Sequence, residues 1–130
     1  MKKTPLLNAG LSRVIAALGH GDLLVISDAG LPVPRGVETI DLALTRGIPG
    51  FLDTLRVVCA EMQVETHWLA AEMEARSPEM WQAVKGLALP RPQHVSHDEF
   101  KRMTQAARAM VRTGEFTPYA NVILSSGVVF

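Results

Sequence analysis

The residues best placed to do chemistry flank one short apolar run, Leu23–Ile26. His20 precedes this run between two glycines, and Asp28 follows it at the start of a loop rich in glycine and proline. Imidazole is the side chain whose ordinary pKa lies closest to neutrality, so it can both give and take protons. A carboxylate just beyond a buried strand is well placed to contact a ligand. Turn chemistry explains the aspartate and the glycines equally well, so both interpretations stay open at this point.

Two further groups of polar residues stand at the starts of predicted elements. The segment Ser96–Glu99 matches the Ser-x-x-Glu capping box, which predicts that His97 lies in the first turn of a helix. Tyr119 and Asn121, separated by Ala120, precede the last apolar run of the chain. If that run is a strand, both side chains face the same way, because side chains alternate along a strand. Turn chemistry after a proline is the alternative explanation.

Histidine spacing gives no support for a metal site. The histidines are His20, His67, His94 and His97. None of them forms a His-Glu-x-x-His motif or a comparable arrangement. A metal site built from His20, Asp22 and Asp28 is an alternative that their spacing does not favour. Gly19 and Gly21 precede a strand instead of following one and opening a helix, so they do not predict a phosphate-binding loop.

Size and composition predict one compact domain spanning residues 1–130. The 13 basic residues balance the 13 acidic ones, which gives no reason to expect nucleic acid or a membrane surface as a partner. Cys59 is the only cysteine, so no internal disulfide can form, and a reducing cytoplasm is the expected compartment. We find neither a signal peptide nor an apolar stretch long enough to cross a membrane.

The order of apolar patterns predicts alternating helices and strands. The predicted helices cover Leu11–Leu18, Phe51–Met62, a segment that begins at Ser77-Pro78, and Ser96 to Thr113-Gly114. The predicted strands cover Leu23–Ile26, Ile40–Leu44, Gln93–Val95 and Val122–Leu124. The segment Val64–Met73 fits either type, and the alternation of elements favours a strand. Together these elements predict an α/β fold with three layers, α/β/α, around a largely parallel or mixed sheet.

Separated motifs along the chain occur in the order found in one known family. They are Gly19-His20, Ser27-Asp28-Ala29-Gly30-Leu31-Pro32-Val33-Pro34, Ile40-Asp41-Leu42-Ala43-Leu44-Thr45, Glu61-Met62-Gln63-Val64-Glu65, His97-x-x-Phe100-Lys101 and Thr113-Gly114-Glu115-x-x-Pro118-Tyr119-Ala120-Asn121. Together they resemble the D-ribose pyranase family, which forms one superfamily with the fucose mutarotases. The resemblance runs from Lys2-Lys3 to Gly127-Val128-x-Phe130. Between about residues 76 and 94 this chain is shorter than is usual in the family.

The resemblance implies both an activity and an assembly. The implied activity is that of an isomerase, working without a cofactor or metal, that interconverts the pyranose and furanose forms of free ribose. The implied proton donor is His20, and the implied sugar contacts are Asp28, His97, Tyr119, Ala120 and Asn121. The family also implies a cytoplasmic homo-oligomer, a decamer of stacked pentamers.

Opening a sugar ring is chemistry that these residue types can support. One proton must reach the ring oxygen and another must leave the anomeric hydroxyl, which calls for acid and base groups and no strong nucleophile. In this hypothesis His20 protonates the ring oxygen, while Asp28 and His97 hold hydroxyls and relay the second proton. Three alternatives remain: a fucose-type mutarotase, which His20-Gly21-Asp22 also resembles, a non-catalytic sugar-binding module, and a metal-dependent hydrolase.

Overall fold

The computed structural model describes residues 1–130 and is built around one six-stranded sheet. The strands are β1 (Leu23–Ser27), β2 (Glu38–Asp41), β3 (Val64–Ala70), β4 (Pro92–Val95), β5 (Ala109–Arg112) and β6 (Val122–Ser126). Their spatial order is β2-β5-β1-β6-β3-β4. All strands run in one direction except β6, which is antiparallel to its neighbours β1 and β3. The predicted α/β class with a mixed, largely parallel sheet is confirmed.

Helices cover both faces of the sheet. They are α1 (Ala9–Ala17), α2 (Phe51–Glu61), α3 (Glu72–Arg76), α4 (Pro78–Gly86) and α5 (His97–Met103). Along β1, Leu24 and Ile26 join a large apolar cluster with α1 to α4, whereas Val25 joins a small cluster with Phe100 of α5. This alternation produces the three predicted layers. No helix is long and apolar enough to span a membrane.

Side-chain caps begin two of the helices. Asn8 caps α1, and the Ser96 hydroxyl of the predicted capping box accepts a hydrogen bond from the Glu99 amide at 3.2 Å. Ser77 stands at the corresponding position before α4 without capping it. Its hydroxyl donates instead to the Pro118 carbonyl at 2.7 Å, which ties the start of α4 to the loop before β6.

The predicted helix from Ser96 to Gly114 is wrong in its second half. Helix α5 ends at Met103, a single 3₁₀ turn follows, and β5 occupies the remainder. In β5, Ala109, Met110 and Val111 are all 0% exposed between β2 and β1. A short run buried on both faces has no alternation, so its apolar residues match a helix as well as a strand, and the tertiary position decides.

The second predicted strand, Ile40–Leu44, is displaced in the structure. Strand β2 begins earlier and ends at Asp41, where its parallel partner β5 ends at Arg112. Leu44 lies beyond the ladder and is 80% exposed. By contrast, the strand favoured for the ambiguous segment is confirmed as β3, and the helix-forming residues at its end belong to the short α3.

Gly114 allows the loop after β5 to pass against the segment between β2 and α2. Its amide donates to the Pro49 carbonyl at 2.9 Å, and its carbonyl accepts from the Gly47 amide at 2.6 Å. A Cβ atom at this position would lie 2.6 Å from the Ile48 carbonyl oxygen and 2.7 Å from its nitrogen. These are backbone atoms that cannot turn aside, so only glycine fits.

We expect Gly114→Ala to lower the free energy of unfolding by about 2 kcal/mol, because the new methyl group forces two backbone segments apart. Gly86→Ala is the matched control, since nothing lies within 4 Å of a Cβ at the end of α4. Alanine there leaves stability unchanged or slightly higher. Urea unfolding followed by circular dichroism measures both variants. Equal stability of the two variants would contradict the proposed close approach.

Candidate functional site

Five of the predicted site residues lie at one edge of the sheet, where the parallel strands end and β6 begins. We call it the carboxyl edge. Asp28 follows β1, His97 follows β4, and the Tyr119-Ala120-Asn121 segment leads into β6. In open α/β sheets, ligands bind beyond the carboxyl ends of the strands. The fold therefore assembles at this edge residues that stand as far as 93 positions apart in the chain.

Asp28 and Asn121 hold each other through two hydrogen bonds. The Asp28 amide donates to Asn121 Oδ1 at 2.8 Å, and Asn121 Nδ2 donates to Asp28 Oδ2 at 2.9 Å. The other carboxylate oxygen accepts from the amides of Gly30 at 2.9 Å and Leu31 at 2.8 Å. A carboxylate has about four lone-pair sites, so one site remains for a ligand hydroxyl. Asn121 is 0% exposed, and its amide serves to position Asp28.

His97 is fixed by its backbone and carries an unsatisfied ring nitrogen. Its amide donates to both carboxylate oxygens of Glu72, at 3.0 and 2.9 Å. This hydrogen bond is the main cause that lowers the pKa of Glu72 below its ordinary value, so the carboxylate stays ionised near neutral pH. The imidazole stands edge-on to the Tyr119 ring, with 5.0 Å between centroids, and its Nδ1 is buried without a partner. A buried polar atom without a partner is costly, so this nitrogen is the unsatisfied group of the cluster.

Tyr119 has a backbone conformation that residues other than glycine rarely adopt. Its φ is 63°, in the left-handed region, and its carbonyl accepts from the Asn121 amide at 2.8 Å. Such a conformation costs about 1–3 kcal/mol and is concentrated at ligand sites, where the surrounding structure enforces it. Ala120 is 0% exposed, so this residue can meet a ligand only through its backbone.

Two open grooves adjoin this cluster. One, of about 370 Å³, is lined by Asp28 together with Arg112 and Phe116. The larger, of about 530 Å³, is lined by Arg46 and Arg76 among others and contains none of the predicted sugar contacts. Hydrogen-bonding geometry therefore locates the candidate site better than groove size does, and it favours the groove beside Asp28.

Glu115 holds the loop that separates the two grooves. Burial alone would raise its pKa, but hydrogen bonds from the Thr117 hydroxyl and amide and from the Phe51 and Phe116 amides outweigh burial and lower it. The lowered pKa means that the ionised carboxylate stabilises the fold above the pKa of the unfolded chain. That contribution is lost as the pH falls through the lowered value.

His20 lies at the opposite edge of the sheet, which we call the amino edge. Gly21, at φ 81°, forms the tight turn after it and donates its amide to the Ser126 carbonyl at 2.8 Å. The imidazole Nε2 lies 2.8 Å from Glu65 Oε2, at the start of β3. The His20 side chain is 60% exposed, so it is oriented by a carboxylate and still open to a ligand or a second molecule.

The length of β1 keeps His20 away from the carboxyl edge within one chain. Its five residues, at about 3.3 Å each, span roughly 15 Å, and His20 and Asp28 stand beyond its two ends. The alternative metal site of His20, Asp22 and Asp28 therefore has no common centre within one chain. No group of three or more histidine, cysteine or acidic side chains is arranged to hold a metal ion.

Sequence reasoning missed two carboxylates that position the candidate residues. Glu65 appeared only as part of a motif, and Glu72 had no role assigned. Their partners, His20 and His97, stand 45 and 25 positions away in the chain. No local spacing could have revealed these contacts, since they depend on the order of strands in the sheet.

Comparison with known proteins assigns the chain to one family. Residues 1–129 match the model of the RbsD / FucU transport protein family, so the chain belongs to this family. A D-ribose pyranase of Pseudomonas fluorescens SBW25 is 59% identical over 134 residues, covering all of both chains. The D-ribose pyranase of Coprothermobacter proteolyticus is 56% identical over 131 residues, again with full coverage of both chains.

Two solved structures share the fold of this chain. Bacillus subtilis RbsD, in complex with D-ribose, matches with a TM-score of 0.97 and 50% identity over all of both chains. A fucose mutarotase of Streptococcus pneumoniae, in complex with L-fucose, matches with a TM-score of 0.84 over all of both chains. Its identity is 22%, so this second match establishes a shared fold alone.

Asn121→Asp tests the Asp28–Asn121 pair without changing its shape. The substitution sets two carboxylates about 3 Å apart, so we expect the free energy of unfolding at pH 8 to fall by about 2–3 kcal/mol. Protonation of one carboxyl relieves the repulsion, so much of the loss is recovered near pH 4. Asn8→Asp is the control, because aspartate caps a helix as well as asparagine does. Urea unfolding at both pH values measures the difference, and a loss independent of pH would exclude this pairing.

Proposed function

We propose that this chain acts as a D-ribose pyranase, an isomerase that interconverts the β-pyranose and β-furanose forms of free ribose without a cofactor. The observation that carries this proposal is the full-length match, at 50% identity and a TM-score of 0.97, to a relative solved with D-ribose. The full-length identity of 59% to a D-ribose pyranase supports it. The carboxyl edge also presents a carboxylate, an imidazole and a phenol, which are groups suited to binding a polyol.

The reaction consists of balanced proton transfers. His20, in its protonated form, gives a proton to the ring oxygen, while a base takes the proton of the anomeric hydroxyl and the C1–O5 bond breaks. The open-chain aldehyde then rotates, and the C4 hydroxyl adds to C1. That hydroxyl returns its proton to His20, and the aldehyde oxygen regains one from the base, so the protein ends as it began. Acid–base catalysis of this kind contributes roughly 10²–10⁴-fold.

The residues at the carboxyl edge divide the remaining roles. Asp28, held by three donors, accepts a sugar hydroxyl at its free lone-pair site. His97 offers its unpartnered Nδ1 to another hydroxyl, and either residue can relay the second proton. Tyr119 supplies a phenolic hydroxyl, while Ala120 and Asn121 contribute through the backbone and through the support that Asn121 gives to Asp28.

A complete site requires two copies of the chain. Because β1 separates His20 from Asp28, the imidazole that protonates the sugar at one carboxyl edge comes from the amino edge of a neighbour. Such a head-to-tail contact joins two different surfaces, and repeated contacts of this type close into a ring. The ring is the pentamer that the family resemblance implies, and two stacked pentamers form the implied decamer.

Exposed apolar residues at both edges fit such a contact. At the amino edge, Val129 and Phe130 in the tail after β6 are 86% and 100% exposed. At the carboxyl edge, Leu44 is 80% exposed and Phe116 is 60% exposed. Burying these side chains against one another would remove apolar surface from water at the same contact that completes the site.

The cytoplasm is the proposed compartment. Cys59 is a free thiol, and burial raises its pKa to about 11. Little reactive thiolate is therefore present near neutral pH. A chain with this single thiol suits reducing conditions. A fucose-type mutarotase and a non-catalytic sugar-binding module are the competing functions, and exchange measurements with both sugars separate them.

Removing the imidazole tests the proton donor. We expect His20→Ala to slow pyranose–furanose exchange of ribose, measured by NMR saturation transfer, by roughly 10²–10⁴-fold while the fold persists. His94→Ala is the control, because it removes an exposed imidazole that belongs to neither edge cluster. Undiminished exchange in His20→Ala would eliminate this residue as the acid. Fast exchange of fucose with slow exchange of ribose would favour the fucose-type alternative.

Mixing two defective variants tests the shared site. His20→Ala and His97→Ala damage opposite edges of the sheet, so we expect each variant to exchange ribose slowly when alone. After joint dissociation and reassembly in equal amounts, about one quarter of the sites combine two intact halves, and activity returns accordingly. If one chain held the whole site, mixing would restore nothing.

A further inference from the structure

The carboxylate that orients His20 also holds an arginine. Glu65 Oε2 lies 2.8 Å from His20 Nε2, and Glu65 Oε1 lies 3.2 Å from Arg91 Nη1. The Glu65 side chain is 34% exposed, and the Arg91 side chain 69%. Each oxygen of one carboxylate thus serves a different partner, and the guanidinium occupies the side of the carboxylate that the imidazole leaves free.

The loop that carries Arg91, residues 87–91 between α4 and β4, is held in place independently of that contact. His67 Nδ1 donates to the carbonyl of Pro90, the residue before Arg91, at 2.8 Å. His67 is 4% exposed, and burial is the main cause that lowers its pKa, so the ring is neutral and the hydrogen bond persists at neutral pH. Ala88 and Arg91 have φ values of 51° and 44°, a conformation that non-glycine residues adopt only where surrounding contacts enforce it.

The geometry of β3 explains why both anchors reach one loop. Glu65 and His67 both lie in the first half of β3, and the parallel partner β4 begins at Pro92 opposite His67, so the loop that ends at Arg91 runs beside them. His67 binds the loop at Pro90 and Glu65 binds it at Arg91.

We propose that Arg91 is a positioning residue for His20, an inference that rests on the proposed function. The guanidinium fixes Glu65 Oε1, which leaves Oε2 directed at the imidazole. Its positive charge also offsets part of the stabilisation that Glu65 gives to the imidazolium. Loss of Arg91 would therefore strengthen the attraction between Glu65 and the proton that His20 transfers.

Other charged groups near the amino-edge turn are paired among themselves. Asp22, on the same turn as His20, accepts from the Gly19 amide at 2.8 Å and lies 3.7 Å from Arg108 Nε, just before β5. Glu65 comes from β3 and Arg91 from the loop before β4. Of these cations, Arg91 is the one that shares the carboxylate of His20.

The test is a titration of the His20 ring protons by NMR in the assembled protein without sugar. In Arg91→Gln we expect the titration midpoint to rise by about half a pH unit, because the imidazolium loses a nearby cation. In Glu65→Gln we expect it to fall, because the imidazolium loses its carboxylate. Arg91→Lys retains the charge and restores most of the wild-type midpoint. Arg56→Gln is the control, since its ion pair with Asp53 has the same 3.2 Å separation on an exposed helix.

The two shifts of opposite sign distinguish an electrostatic role from damage to the fold, which would move both variants in one direction. The pH profile of ribose exchange should move with the titration midpoint in each variant. A wild-type midpoint in Arg91→Gln would overturn the inference even if ribose exchange depends on His20. If the midpoints shift as expected but the wild-type protein does not accelerate exchange, Arg91 still acts on His20 and the proposed function fails instead.

Discussion

The length of β1 is the constraint on which the arrangement of this protein depends. A buried strand holds its ends apart because every backbone amide and carbonyl must stay paired with the neighbouring strands. His20 stands before one end of β1 and Asp28 after the other. In the proposed function, each chain therefore carries two half-sites at opposite edges of the sheet, and a complete site forms between two molecules. In the proposed ring, catalysis therefore depends on assembly, because each complete site forms only where two chains meet.

The reversed strand β6 contributes to both proposed half-sites. Because β6 runs antiparallel to β1, its first residue pairs beside the end of β1, which places Asn121 against Asp28. For the same reason its last residues pair beside the start of β1, where the Ser126 carbonyl accepts the amide of the turn after His20. A parallel strand at this position would bring the Tyr119-Ala120-Asn121 segment to the wrong edge. The one antiparallel strand of the sheet thus determines which residues meet at each edge.

A carboxylate holds a histidine at each edge of the sheet, but the two carboxylates contact different parts of the histidine. At the amino edge Glu65 contacts the His20 ring directly and is itself shared with Arg91. At the carboxyl edge Glu72 holds the backbone of His97 and leaves its ring free. The first arrangement contacts a ring nitrogen directly, and the second fixes the backbone that carries the ring. This difference suits the roles proposed for them, His20 as the proton donor and His97 as a sugar contact.

Local pattern determined most of the elements, and the family resemblance named the residues of the candidate site. Helical spacing, the Ser96 capping box and the run Leu23–Ile26 depend on neighbours within a few positions, so the sequence alone predicts them. The sequence alone did not predict that β5 is a strand, because Ala109–Arg112 is buried on both faces and its apolar and polar residues do not alternate. Nor did it predict Glu65 and Glu72 as partners of the two histidines. Only the order of strands, set by how apolar faces pack in three dimensions, placed five site residues at one edge and His20 at the other.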